Sequence, residues 1–273
     1  MNFVELIKVV VLAAFQGVAE FLPISSSGHL QVLQYLLKTN PESNLLLNVI
    51  LHAGTLLAIL VFYFQQIWQI LRDKKINLII AVIIGTIPAG IVGVLIKKTG
   101  LDDIIFTPLW IPAIGFFVTG TLLLVGLRKR SPEEEAAAVP LDAISWKQAL
   151  IIGLAQAVAI APGISRSGST ISTAMKMKLK TIDCAQFSFL LAIPAIGGAV
   201  LLESLDCIKN PEFISNTPWI YWMIGFAVSA IVGYGSLKVL VGMLNRGKLQ
   251  WFAWYVYGAG VFTLALYIYS ATR

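Results

Sequence analysis

Residues 16 to 29 read QGVAEFLPISSSGH, and residues 156 to 170 read QAVAIAPGISRSGST. The first stretch holds the parts of acid–base and nucleophilic chemistry. Gln16 and Glu20 are four residues apart and share a helix face. Ser25, Ser26, Ser27, Gly28 and His29 follow, with Ser26 and His29 spaced three apart. A carboxylate, a hydroxyl and an imidazole around an anion are the groups that phosphoryl transfer uses. The second stretch supplies a clamp instead. Arg166 carries a permanently charged fork suited to phosphate oxygens, and Ser165, Ser167, Gly168 and Thr170 surround it. Ile160 stands where Glu20 would be and Ser169 where His29 would be.

Each serine-rich turn is expected to open a short helix. Unpaired N–H groups at a helix start, together with the positive end of its dipole, make an anion site. Gly28 and Gly168 allow the backbone to approach a ligand closely.

The elements that must position these residues are apolar. The chain is 58% hydrophobic and 12% charged, with a mean hydropathy of +0.82, whereas soluble domains carry about 25% charged residues. Residues 44–66, 106–127 and 218–237 contain no Asp, Glu, Lys or Arg, and about 20 apolar residues suffice for a helix to cross a bilayer. A polytopic helical membrane protein is the class that fits, as a single integral membrane domain over 1–273. The net charge of +6 sits in short loops, which suits topology and anionic headgroups rather than nucleic acid. With Glu5 and Lys8 in its first turn, the N-terminus reads as the first helix, not a cleaved leader. In this setting a carboxylate costs about 2.5 kcal/mol or more to insert, so Glu20 is functional by default, and Arg166 equally so. The serines alone would read as helix-packing glue.

Setting residue n beside residue n+140 gives seven identities in the 14 positions from 16 to 29: Gln16, Val18, Ala19, Ile24, Ser25, Ser27 and Gly28. Such self-similarity marks membrane proteins built from repeats. Each motif interrupts an apolar segment whose second arm is too short to span, so both are expected to be re-entrant helix hairpins. Three full spans follow each: 44–66, 76–96 and 106–127, then 185–203, 219–241 and 251–270. Three crossings is odd, so repeat 1–130 and repeat 145–273 take inverted orientations. Twelve loop Lys and Arg then lie on one side and six on the other, which makes the first side cytoplasmic and places both termini outside.

Other polar residues read more plainly. His52, in LHAGT, has no charged neighbour in its span and is expected to be a hydrogen-bonded interior histidine whose removal leaves most turnover. Cys184 and Cys207 have no metal or disulfide spacing. Pro88 and Pro194 mark kinks. Trp219, Trp222, Trp251, Trp254 and Tyr255 read as interfacial anchors, and Glu133 to Glu135 as a solvated linker.

The two motifs together resemble those of the undecaprenyl-diphosphate phosphatase family, the bacitracin-resistance proteins of bacterial membranes. Gln16, Glu20, Pro23, Ser25, Ser26, Ser27, Gly28 and His29 match its first signature. Pro162, Gly163, Ser165, Arg166, Ser167 and Thr170 match its second. The resemblance implies hydrolysis of undecaprenyl diphosphate to the monophosphate at the outer face of the cytoplasmic membrane, which recycles the lipid carrier for peptidoglycan. It also implies a divalent cation, Mg2+ or Ca2+, beside Glu20. Partners are then the polyprenyl diphosphate, the surrounding membrane lipids and, at most, a second copy in a homodimer. Many members carry Glu where this chain has Gln16, so Gln16 is assigned orientation. Arg166, Ser165, Ser167 and the hairpin N–H groups would hold the diphosphate. Glu20 would hold the cation or act as base, and Ser26 would attack, assisted by His29; direct attack by water is the alternative. The rival class is a polyprenyl-phosphate or anion transporter, which would use the same inverted site but gain nothing from Glu20 and His29.

Overall fold

The computed structural model describes residues 3–39, 41–128, 130–209 and 218–272. Lys129 and Arg273, counted among the loop charges, lie outside them. The described residues form helices and no strand, apart from an isolated bridge between Val139 and Leu179.

The first broken helix comprises α1 (Phe3–Ala19) and α2 (Ser26–Leu37). The chain leaves α1 through a turn in which Glu20 N still donates to Gln16 O at 2.9 Å, and Pro23 cannot continue the helix. Ser25 caps α2 by accepting from Gly28 N, and Lys38 closes it in the left-handed region at φ 49°. The second broken helix comprises α9 (Trp146–Val158) and α10 (Arg166–Lys176). Pro162 and Gly163, the latter at φ 86°, interrupt it, and Ser165 caps α10. With 12 and 11 residues, α2 and α10 measure about 17 Å, well short of a bilayer core of about 30 Å.

Between the two lie α3 (Pro41–Phe62), α4 (Phe64–Arg72), α5 (Ile76–Thr99), α6 (Asp102–Phe106), α7 (Trp110–Gly126) and α8 (Pro132–Ala136). After them come α11 (Thr181–Lys209), α12 (Trp219–Asn245) and α13 (Trp251–Ala271). Among the described residues, five helices are long and apolar enough to cross a membrane: α3 over Leu45–Phe62, α5, α11, α12 and α13. The expected span over 106–127 is the shorter apolar helix α7, of 17 residues. The expected span over 44–66 breaks at Tyr63, where α4 begins. Pro88 and Pro194 lie inside α5 and α11.

The helices pair closely. Helix α1 packs on α12, α9 on α5, α7 on α13, and α3 on both α11 and α12. A Cβ added at Gly17 would meet the backbone of Gly233 at 2.9 Å, so α1 and α12 approach as near as small residues permit. Outward flanks are apolar: Ile83, Ile87 and Ile91 form an exposed stripe along α5, as expected for a lipid-facing surface.

The acidic run is solvated at Glu133 and Glu134, as expected of a linker, and docked at Glu135. Ser131 caps α8, and Glu135 accepts from Thr181 N at 2.7 Å and Thr181 Oγ1 at 2.6 Å. Arg130 donates to the carbonyls of Leu179 and Met175, holding the turn after α10. Glu135 carries no local sign of this docking because its partner Thr181 lies 46 positions away in the chain. Cys184 and Cys207 are free and buried, about 35 Å apart along α11 at 1.5 Å per residue.

Candidate active site

The breaks of the two hairpins touch. A Cβ on Gly28 would lie 2.8 Å from the Gly163 backbone and 2.9 Å from the Phe116 ring, and Ser167 Oγ donates to Leu22 O at 3.3 Å. Gly28→Ala therefore has no room. We expect it to lower thermal stability by about 1–3 kcal/mol, the usual range for overpacking, read as a drop in the unfolding temperature of the purified protein. An unchanged unfolding temperature would mean that the tips are not in contact.

This contact brings together charges that are 146 positions apart in the chain. Arg166 Nη2 donates to Glu20 Oε1 at 2.8 Å. Glu20 Oε2 accepts from Ser26 Oγ at 2.5 Å and from Gln16 Nε2 at 3.2 Å. Glu20 is only 7% exposed and the Arg166 side chain 14%, so the pair is buried, and its charges interact far more strongly than they would in water. The second arm of the guanidinium donates to Ser188 O at 3.3 Å, and the group lies 6.0 Å from the Phe189 ring. Phe21, from the first break, packs edge-on against that same ring. Arg166 is therefore aimed by Glu20 of the first hairpin and by the Ser188 carbonyl and the Phe189 ring of α11.

The remaining residues singled out in the sequence divide into two groups. Gln16, Glu20, Ser26 and Arg166 form one connected cluster. Ser25, Ser165, Ser167 and Thr170 mostly serve the hairpins. Ser25 and Ser165 cap Gly28 N and Gly168 N at 3.4 and 3.1 Å, and the Ser27 and Ser167 hydroxyls lie 3.4 and 3.3 Å from those caps. Thr170 Oγ1 lies 2.6 Å from Ser188 Oγ. His29 does not join Ser26. Its Nδ1 donates to Ser25 O at 2.8 Å and its Nε2 pairs with Tyr255 Oη at 2.9 Å.

Thr119 and Ser188 gave no readable signal in the sequence, and Tyr255 and His52 take part beyond the roles read for them there. Thr119 on α7 donates to Gly163 O at 2.7 Å and accepts from Ser165 N at 2.9 Å, bracing the second break. Ser188 receives Arg166 and Thr170. Tyr255 is not merely an interfacial anchor, since its hydroxyl reaches His29. His52 is hydrogen-bonded through Nδ1 to Asn48 O at 2.7 Å, but its Nε2 also lies 4.0 Å from Glu20 Oε2. The acidic neighbour missing from its own span comes from the first hairpin. His52→Ala is accordingly expected to lower kcat/KM about two- to fivefold, equivalent to about 0.4–1 kcal/mol, through loss of a polar neighbour of the buried carboxylate. Unaltered kinetics would restore the purely structural role.

A helical membrane protein in which two broken helices meet end to end, enclosing one carboxylate, one guanidinium and one hydroxyl, is the class that fold and site define. The chain matches the family model described as bacitracin resistance protein BacA over residues 9–262. It is 43% identical to an undecaprenyl-diphosphatase of Rhodopirellula baltica, covering 96% of this chain and 98% of that protein. It is 38% identical to undecaprenyl-diphosphatase 4 of Bacillus thuringiensis, over 97% and 98% of the two chains. An undecaprenyl-diphosphatase of Halothermothrix orenii is 36% identical over 96% and 98%. The chain belongs to the BacA bacitracin-resistance family.

Proposed function

We propose that this protein hydrolyses undecaprenyl diphosphate to undecaprenyl phosphate and inorganic phosphate, recycling the lipid carrier of peptidoglycan synthesis and so conferring bacitracin resistance. The names of its relatives support the substrate. The observation that carries the chemistry is Glu20, shared between Arg166 and Ser26 at 2.8 and 2.5 Å. A carrier of phosphorylated lipids needs the guanidinium, but it has no use for a hydroxyl hydrogen-bonded to a buried carboxylate. A phosphatase uses both.

In the reaction we assign, Arg166 and the first-turn N–H groups of α2 and α10 bind the diphosphate. Ser26 Oγ attacks the terminal phosphorus as its proton passes to Glu20 Oε2. The bond to the bridging oxygen breaks and the lipid phosphate leaves; water then releases phosphate from Ser26. The guanidinium stabilises charge on the transferring group, where most of the rate arises. Trapping of a phosphoserine supports attack by Ser26, whereas 18O exchange incompatible with a phospho-enzyme would assign the attack to water.

The divalent cation implied by the family fits the residues present. Gln16 Oε1 is buried without a partner, so an amide oxygen and the Glu20 carboxylate offer the hard ligands that Mg2+ or Ca2+ prefers. Among the described residues no three His, Cys, Asp or Glu side chains converge, so substrate oxygens and water would complete the shell. When bound, the cation would neutralise charge on the diphosphate.

We further infer two inverted repeats, 1–130 and 145–273, each a re-entrant hairpin plus three crossings, with α7 as the short third crossing of the first. The reciprocal packing of α1 on α12 and α9 on α5 supports this, because exchanging the two halves converts one pair into the other. Loop charges support a bacterial cytoplasmic membrane orientation with both termini outside and a chamber open to the outer face.

Purified protein in detergent, given farnesyl or undecaprenyl diphosphate with and without chelator, should release phosphate only when the cation is available. Folded protein that releases none, yet moves polyprenyl phosphate across vesicles, would make it a transporter.

A further inference from the structure

We propose that His29 and Tyr255 form a positioning device: the Tyr255 hydroxyl fixes the His29 ring, and His29 holds Ser25 in a strained conformation that aims Ser26 at Glu20. The inference rests on the roles given above to Ser26 and Glu20. It assigns His29 a task other than proton transfer and brings α13 into the site.

The two hairpins provide an internal comparison. Ser25 and Ser165 occupy equivalent positions, and each caps the helix that follows. Ser165 does so with an ordinary backbone, φ −71° and ψ 119°. Ser25 sits at φ 71° and ψ 101°, a region that residues with a Cβ rarely adopt and that persists only where the surroundings enforce it. Capping therefore does not require the strain. The strained hairpin is the one that carries Ser26, whose direction is set by the dihedrals of the residue before it. It is also the hairpin with a histidine four residues on; the relaxed hairpin has Ser169, whose hydroxyl is buried without a partner.

The hydrogen bonds show how the strain is held. A carbonyl only accepts, so the contact between His29 Nδ1 and Ser25 O at 2.8 Å places a proton on Nδ1. In the neutral ring Nε2 is then a lone pair, and the Tyr255 hydroxyl, 2.9 Å away, donates to it. With both nitrogens engaged, the ring has no site left for the Ser26 proton. The ring is enclosed as well. The Tyr255 ring lies nearly parallel to it, planes 6° apart and centroids 5.6 Å apart, and Phe116 packs against it at 4.8 Å in a T-shaped contact. The chain of support runs from Tyr255 to His29, to the Ser25 carbonyl, to the Ser26 hydroxyl.

Tyr255→Phe removes only the donor. In 15N-histidine spectra of the detergent-solubilised protein, assigned with His29→Asn, the His29 Nε2 resonance should move toward that of an unbonded lone pair, while Nδ1 keeps its proton on the Ser25 carbonyl. Turnover should fall about tenfold in kcat, with KM within about twofold, because orientation is lost and binding is not. Ser25→Gly provides the rescue arm, since glycine takes positive φ without penalty. Adding Tyr255→Phe to Ser25→Gly should then cost less than about twofold further, a strongly non-additive cycle. An unchanged nitrogen pattern in Tyr255→Phe, or the same tenfold loss in both backgrounds, would overturn the proposal. The spectra need no substrate. A wild-type protein that released no phosphate would therefore refute the proposed function while leaving the His29–Tyr255 contact to be judged on its own.

Discussion

Glu20→Gln is expected to lower phosphate release by about a thousandfold, within the range for loss of a positioned general base, while the protein stays folded. The amide keeps the shape of the side chain and can still accept from Arg166, so packing at the hairpin tips survives. It loses the ability to take the proton of Ser26, now 2.5 Å away. It also loses the negative charge that balances a guanidinium only 14% exposed. Glu20→Ala should be worse for stability, because removing one member of a buried pair leaves the other uncompensated, at about 3–5 kcal/mol. The measurement is kcat with undecaprenyl diphosphate, beside thermal unfolding of both variants. A folded Glu20→Gln protein retaining a tenth of wild-type turnover would mean that another group takes the proton.

Arg166→Ala is expected to lose about 10³-fold or more in kcat/KM, comparable to removing an arginine that stabilises a transferring phosphoryl group. Arg166→Lys should recover little of it. The guanidinium uses two separate nitrogens, Nη2 on Glu20 and Nη1 on Ser188 O, and a lysine ammonium is a single point charge that cannot reproduce that fork. The loss should appear in both KM and kcat, because the same group binds the ground state and the transition state. If Arg166→Lys proved nearly as active as wild type, net charge rather than the fork would be the requirement.

The two experiments also separate the hairpins. Glu20 belongs to the first break and Arg166 to the second, so coupled losses in the double variant would report directly on their contact.

Local signals in the chain carried most of the helical layout. Pro23 and the Pro162-Gly163 pair stop helices, serines restart them at Ser25 and Ser165, and charge-free stretches mark the long helices. These are short-range effects of backbone sterics, capping and transfer from water, each legible within a few residues. They led to the two broken helices, to Glu20 and Arg166, and to the family resemblance.

What touches what was decided only by the folded chain. The end of the first long helix at Tyr63 and the 17-residue length of α7 depend on packing rather than hydropathy. His52 meets Glu20, and Tyr255 meets His29 across 226 positions, yet no pattern within α3 or α13 records either meeting. Apolar spans look alike along the sequence because lipid rewards any apolar surface equally. Register and rotation between helices come from side-chain fit, and they determined which polar residues entered the chamber.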